Sequence, residues 1–247
     1  MKIKFRSLLA GALIMVSSVL QAAPTVLVYE WAVQSGKAGE FAAALDTLQK
    51  SKIAKDRTAQ LHLESIGFNG ASPATHRVVV LYPSIAEMDA WTKKFQSSGA
   101  GSAFQETINR IATPVAQYME QPVQSWGEVS NDDKVFDIVR LQVSDPVATV
   151  AGLNALMGAP ESKDFPGQIW LIQVLRGNAA PDGRVTHQIV VGYKTLTEME
   201  TWEDYMATTK AWQKWTGVAR NSFTVMNRFT VDWLVDYNHN YTLEDFN

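Results

Sequence analysis

The sequence predicts an α+β protein made of two tandem β-α-β-β-α-β units. Three observations carry this reading. Thr75-His76-Arg77-Val78-Val79-Val80-Leu81-Tyr82 recurs as Thr186-His187-Gln188-Ile189-Val190-Val191-Gly192-Tyr193, an offset of 111 residues. The match continues without a gap through Glu87, Met88 and Trp91, answered by Glu198, Met199 and Trp202, so that eight of 17 positions agree between 75–91 and 186–202. In both copies a β-branched run leads straight into an apolar stripe of helical spacing, the period changing from 2 to 3.6 at the same place.

Residues 26–33 and 135–143 are β-branched and aromatic runs, which favour strands. Phe41, Leu45 and Leu48 follow at i, i+4 and i+7, one face of a helix that Ser35 would open. In the second copy Asp145 is the expected cap, Pro146 suits the first turn, and Leu153 and Leu156 continue the stripe at an offset near 108. Second strands are expected at 60–68 and 168–175, and third strands at 76–82 and 187–193. Ser84-x-x-Glu87 and Thr195-x-x-Glu198 then read as capping boxes. Ile85, Met88, Trp91 and Phe95 form the stripe behind the first box, and Leu196, Met199, Trp202 and Met206 the stripe behind the second. Ser97-Ser98-Gly99 breaks the first of these helices, and Phe104, Ile108 and Ile111 outline a short further one; Phe104 falls on Trp215 in the second copy. Closing strands are expected near 115–123 and 223–234. The units are thus 23–119 and 135–236, joined by a linker at 120–134 that contains Pro122, Gly127 and Asn131-Asp132-Asp133, with a polar tail at 237–247.

The chain has 247 residues, 46% hydrophobic and 19% charged, a globular balance that excludes a disordered, collagenous or coiled-coil protein. Lys and Arg number 22 against 25 Asp and Glu, a net charge of −3 that offers no basic excess for a nucleic-acid backbone. Without cysteine there can be no disulfide, thiolate metal site or cysteine nucleophile. Residues 1–22 read as a signal peptide: Lys2, Lys4 and Arg6, then an uncharged apolar run over 8–20, then Ala22 before the cut. That run is shorter than the roughly 20 residues a membrane span needs. The expectation is a periplasmic or secreted protein with no stable membrane span after signal cleavage.

A β-α-β-β-α-β order in about 100 residues is the ferredoxin-like split βαβ unit, which covers one sheet face with helices and leaves the other to be covered. The capped helix with its Met and Trp stripe, broken before a second short helix, resembles the dimeric α+β barrel superfamily. That superfamily includes antibiotic-biosynthesis-type monooxygenases and stress-responsive barrel proteins. The resemblance implies two sheets closed face to face into a barrel, here as a pseudo-dimer within one chain. It rests on element order and the repeated strand–helix block; no catalytic motif of the superfamily is matched residue by residue.

Alternation sorts the candidate residues by face. Leu61 and Leu63 belong under the helices, so His62 and Glu64 look into the barrel, and Glu30 shares its face with Val26 and Val28. Glu30, His62 and Glu64 could converge as acid, base or ligands of an oxygen-preferring divalent metal, or could simply hydrogen-bond one another. The second copy has Ile169 or Trp170, Leu171 and Gln173 in their place, so such a site is asymmetric. Superfamily relatives that handle haem use a histidine near the interior, which makes His76 and His187 candidates. Their presence in both copies argues instead for a structural role at the turn. Arg140 and Arg228 could meet a carboxylate ligand, although a solvent-facing side chain is the favoured reading. Trp31, Trp170 and Trp233, with Tyr82 and Tyr193, could line an apolar pocket, while Trp91, Trp202 and Trp215 read as core. No Gly-rich phosphate loop, GxSxG elbow or HExxH is present. Three functions stay open: binding of a small apolar or aromatic ligand in the barrel, with Trp31, Tyr82, Arg140, Trp170 and Tyr193 as contacts; a monooxygenase-like enzyme acting on a hydrophobic substrate; or an interaction module. The sequence names no cofactor.

Overall fold

In a computed structural model, residues 24–55, 57–127, 130, 132–177 and 184–237 are described. The expected signal peptide, and the tail beyond Tyr237, lie outside them. The first half runs β1 (Thr25–Val33), α1 (Ala38–Lys50), β2 (Gln60–Gly67), β3 (His76–Tyr82), α2 (Ile85–Gln96), α3 (Gly99–Ile111) and β4 (Ala112–Gly127). The second repeats that order as β5 (Val135–Val143), α4 (Pro146–Met157), β6 (Gln168–Arg176), β7 (His187–Tyr193), α5 (Leu196–Ala207), α6 (Lys210–Ser222) and β8 (Phe223–Tyr237), with a short 3-10 turn before β6.

All eight strands close into one antiparallel barrel in the order β1-β3-β2-β8-β5-β7-β6-β4. Closure leaves no unpaired sheet edge. The halves are joined by their longest strands. β4 pairs with β1 over its first part and then with β6, and β8 pairs with β5 and then with β2. This corrects the expected linker at 120–134. Residues 120–127 are strand, because a closing strand that must serve two neighbours in succession has to be about twice as long as the others. Glu120, expected in the linker, is therefore an interior residue of the barrel.

Alternation then makes three layers. Leu27, Leu61, Leu63, Val78 and Val80 face outward and pack against Phe41, Leu45, Ile108 and Ile111 of α1 and α3. Leu141, Ile169, Leu171 and Ile189 do the same in the second half against Leu153, Leu156, Met206 and Trp215. Between the sheets lie Val26, Val28, Val79, Leu81 and Tyr118, and on the other side Phe136, Ile138, Phe229 and Val231. An eight-stranded barrel is just wide enough for side chains to fill it. At one point the backbones approach closely enough to require glycine: a Cβ on Gly167 would lie 1.9 Å from the Gly192 carbonyl oxygen.

The helix starts agree with expectation in part. Ser84 accepts from the Glu87 N–H at 3.2 Å, Thr195 from Glu198 N–H at 3.1 Å, and Asp145 from Ala148 N–H at 2.9 Å. The return arms of the two boxes go elsewhere. Glu87 accepts from the Thr58 hydroxyl, and Glu198 from the Lys194 N–H one residue before the cap. Ser35 does not open α1; Lys37 occupies its N-cap without a side-chain bond.

Candidate ligand-binding site

The barrel interior brings together the polar residues that alternation pointed inward, but it pairs them off. β1 and β5 stand on opposite sides of the barrel, four strands apart. Glu30 and Arg140 hold equivalent places on them, opposite Arg77 and Gln188 on the neighbouring strands. They meet across the lumen as an ion pair with both side chains 3% exposed. Tyr118 completes the contact: its hydroxyl donates to Glu30 at 2.9 Å and accepts from Arg140 at 2.9 Å. The Arg140 guanidinium also lies over the Phe229 ring, 4.6 Å from its centroid. Arg77 faces Glu64 at 3.4 Å, His62 faces Asp236 at 3.3 Å, and Gln188 donates to Glu120. Burial pushes the Glu120 carboxyl up to about 8, so it keeps its proton at neutral pH.

Glu30, His62 and Glu64 thus share the interior face yet do not form one site. Each has a different partner, and no group of three acidic or histidine side chains able to hold a metal occurs among the described residues. The solvent-facing reading of Arg140 is also corrected. Its equivalent position holds an acid, and the closed barrel sets the two face to face. Arg228 is half-exposed and bridges Asp137 on β5 to Glu203 on α5. His76 and His187 bond the preceding Thr75 and Thr186 hydroxyls at 2.9 and 3.0 Å, which agrees with a role at the turn.

The five residues expected to share a ligand divide among three places. Arg140 and Trp170 are inside the barrel, Trp170 stacked on Phe136. Tyr193 lies on the outer face of the second half against Phe165. Trp31 and Tyr82 line a cavity of about 510 Å³ on the outer face of the first half, between the sheet and α1–α3. Its walls are Leu45, Leu48, Leu61, Val78 and Val80 below and Trp91, Phe95, Phe104 and Ile108 above, and it reaches Glu30 at the β1/β4 bulge. Polar groups enter from Gln49, at the end of α1, and Arg57, in the connection to β2, and also from Thr92 and Gln96 on α2, Gln105 and Asn109 on α3 and Gln117 on β4. Arg57 donates its Nε–H to the Ala59 carbonyl at 3.2 Å and lies over Trp91, 5.2 Å from the ring centroid. Burial lowers its pKa to about 10, which still leaves it charged at neutral pH. The Gln49 amide nitrogen and oxygen are both buried without a partner. Burial also raises the Tyr82 and Tyr29 phenols.

The stripe on α2 explains the space. Read as core, it has no fully buried residue, although Met88 and Trp91 pack against the first-half core. In the second half Phe95 is replaced by Met206 and Phe104 by Trp215, both buried, and Phe165 packs 5.3 Å from the Trp202 ring at the place equivalent to Arg57. Gln49 is answered there by Met157, which joins the same apolar cluster. Neither Gln49 nor Arg57 had been singled out from the sequence. The signal was available: at both positions the two copies trade polar for apolar.

Sequence comparison finds no matching protein family and no matching curated protein. Comparison of folds does find similar structures. A candidate monooxygenase from Fusobacterium nucleatum has a TM-score of 0.60 at 12% identity, covering 88% of this chain and 95% of its own. Another from Lactobacillus acidophilus has a TM-score of 0.58 at 12% identity, covering 87% and 96%. An anthrone oxidase-like protein has a TM-score of 0.53 at 11% identity, covering 87% and 92%. The fold is the dimeric α+β barrel, closed within one chain. A chlorite dismutase from Candidatus Nitrospira defluvii shares this barrel, with a TM-score of 0.52 at 7% identity, 86% and 92% covered. A haem of the kind some barrels of this superfamily hold does not fit the donors of this cavity. Its described lining contains no histidine, methionine or cysteine, and its phenols resist ionisation.

Proposed function

We propose that the protein binds a small, largely aromatic molecule in the cavity between α1–α3 and the outer face of the first-half sheet. The observation that carries this is the contrast between the two copies. The same fold packs this space with Trp215, Met206 and Phe165 in one half and leaves it open at Phe104, Phe95 and Arg57 in the other. A volume of about 510 Å³ falls within the roughly 300–1,000 Å³ common for small-molecule pockets. The location differs from the barrel lumen expected from sequence, where the inward charged groups stand in ion pairs. The reading of the N-terminal 22 residues as a signal peptide supports a periplasmic or secreted location for this binding. A chain starting at residue 23 in the periplasmic fraction would support that, and an intact chain in the cytoplasm would count against it.

The binding test is a titration with the neutral dye N-phenylnaphthylamine, followed by its rise in fluorescence. The wild type should saturate at one site. A double variant, Phe104→Trp with Arg57→Phe, installs the side chains of the packed half and should abolish binding while circular dichroism and the unfolding midpoint hold. Equal binding by the filled variant, or none by the wild type, overturns the proposal. A second reading makes this an oxidation site, favoured by the fold shared with candidate monooxygenases and an anthrone oxidase-like protein. Dioxygen uptake with an anthrone should then occur with the wild type and vanish in the filled variant; uptake equal in both, or absent in both, removes it.

A further inference from the structure

Gln49 and Arg57 carry a second inference, which rests on the binding role proposed for this cavity. Among its described lining residues Arg57 is the one cation and Glu30 the one carboxylate. The Glu30 carboxylate is spoken for on the lumen side by Arg140 and Tyr118. Arg57 brings its guanidinium to the cavity wall against Trp91, where burial strengthens charge interactions. Gln49 adds an amide whose two polar ends are buried and without partners, a state that is costly unless something answers it.

The duplication supplies an internal control. Met157 and Phe165 hold these two positions in the half where Met206 and Trp215 are buried. From this we infer that the ligand is an aromatic acid, its ring between Leu61 on the sheet and Trp91 and its anionic group at Arg57 and Gln49. A carboxylate suits both partners. It accepts from the guanidinium and from the Gln49 Nε2–H, and a neighbouring hydroxyl on the ring could donate to Gln49 Oε1.

Naphthoate and naphthamide test this directly, since they share one shape and differ in charge. Calorimetric titration of the wild type should show naphthoate binding on the order of tenfold more tightly, the scale of one charge-assisted hydrogen bond. Arg57→Gln should bring naphthoate down to the level of naphthamide and change naphthamide by less than about threefold. Arg57→Lys keeps the charge but not the planar fork, and should retain part of the preference. Gln49→Met, which copies the packed half, should weaken naphthoate as well.

Equal affinities in the wild type overturn the inference, as does a preference that survives Arg57→Gln. If Arg57→Gln fails to fold, the wild-type ratio and Arg57→Lys still decide. Saturable binding of the neutral dye together with equal naphthalene affinities would leave the cavity a binding site and remove only its acid specificity. Failure of the dye and of both naphthalenes would remove both.

Discussion

Replacing Arg140 by methionine would remove one end of the ion pair that spans the barrel lumen and leave the Glu30 carboxylate facing Phe229 and Tyr118. Both partners are 3% exposed, so water cannot take the place of the guanidinium. Breaking a buried pair from one side costs about 3–5 kcal/mol. The lower end applies here, because the Tyr118 hydroxyl still donates to Glu30 and Arg77 sits on the adjacent strand. With a urea slope of about 3 kcal/mol per molar, a loss of about 3 kcal/mol moves the unfolding midpoint down by roughly 1 M. Equilibrium unfolding in urea, followed by tryptophan fluorescence, reads that shift. The double variant Glu30→Gln with Arg140→Met removes both charges and should recover most of the loss, since the penalty lies in the stranded charge. A single variant within about 0.5 kcal/mol of wild type, or a double variant as unstable as the single, would refute this account of the lumen.

Glu120 should make stability fall with pH. Its folded pKa of about 8 lies above its unfolded value, so its contribution is complete below the unfolded pKa and lost as pH rises through 8. Within that window the slope is about 1.4 kcal/mol per pH unit, and Glu120→Gln should flatten it in urea titrations at a series of pH values; an unchanged slope counts against burial as the cause. Gly167→Ala should cost more than about 2 kcal/mol, because the new Cβ meets the Gly192 carbonyl oxygen rather than a yielding side chain. A midpoint near wild type would show that the β6–β7 pairing can move apart. Thr195→Ala removes the hydroxyl that caps α5 and should cost about 1 kcal/mol, read as a fall in melting temperature.

Much of this architecture could be read from the chain before folding. The repeat of 75–91 in 186–202 located two strands, two helices and their caps, because those features depend on local spacing and local hydrogen bonds. Period-2 alternation turned His62 and Glu64 inward for the same reason, and grouped Glu30 with Val26 and Val28 without fixing which way that face points. Their partners were not legible. Arg140 meets Glu30 only because strand order sets β1 opposite β5, and no local pattern encodes which strands stand across a lumen. The length of β4 was missed likewise, since Pro122 and Gly127 read as a break until a second strand is known to need pairing there. The cavity was hardest. Ile85, Met88, Trp91 and Phe95 make the same stripe whether or not α2 rests on the sheet. What decides is the bulk on the helix that follows, Phe104 on α3 in one half and Trp215 on α6 in the other.

A barrel assembled from two identical chains carries every feature twice, so any cavity it opens comes in a symmetric pair. The single chain escapes that bookkeeping. The half closed by Trp215 can hold the sheets rigidly, while the half containing Phe104 gives up packing density for an opening. Titration should therefore saturate at one ligand per chain with a hyperbolic isotherm, because among the described residues Met206 and Trp215 are buried at the equivalent place in the second half.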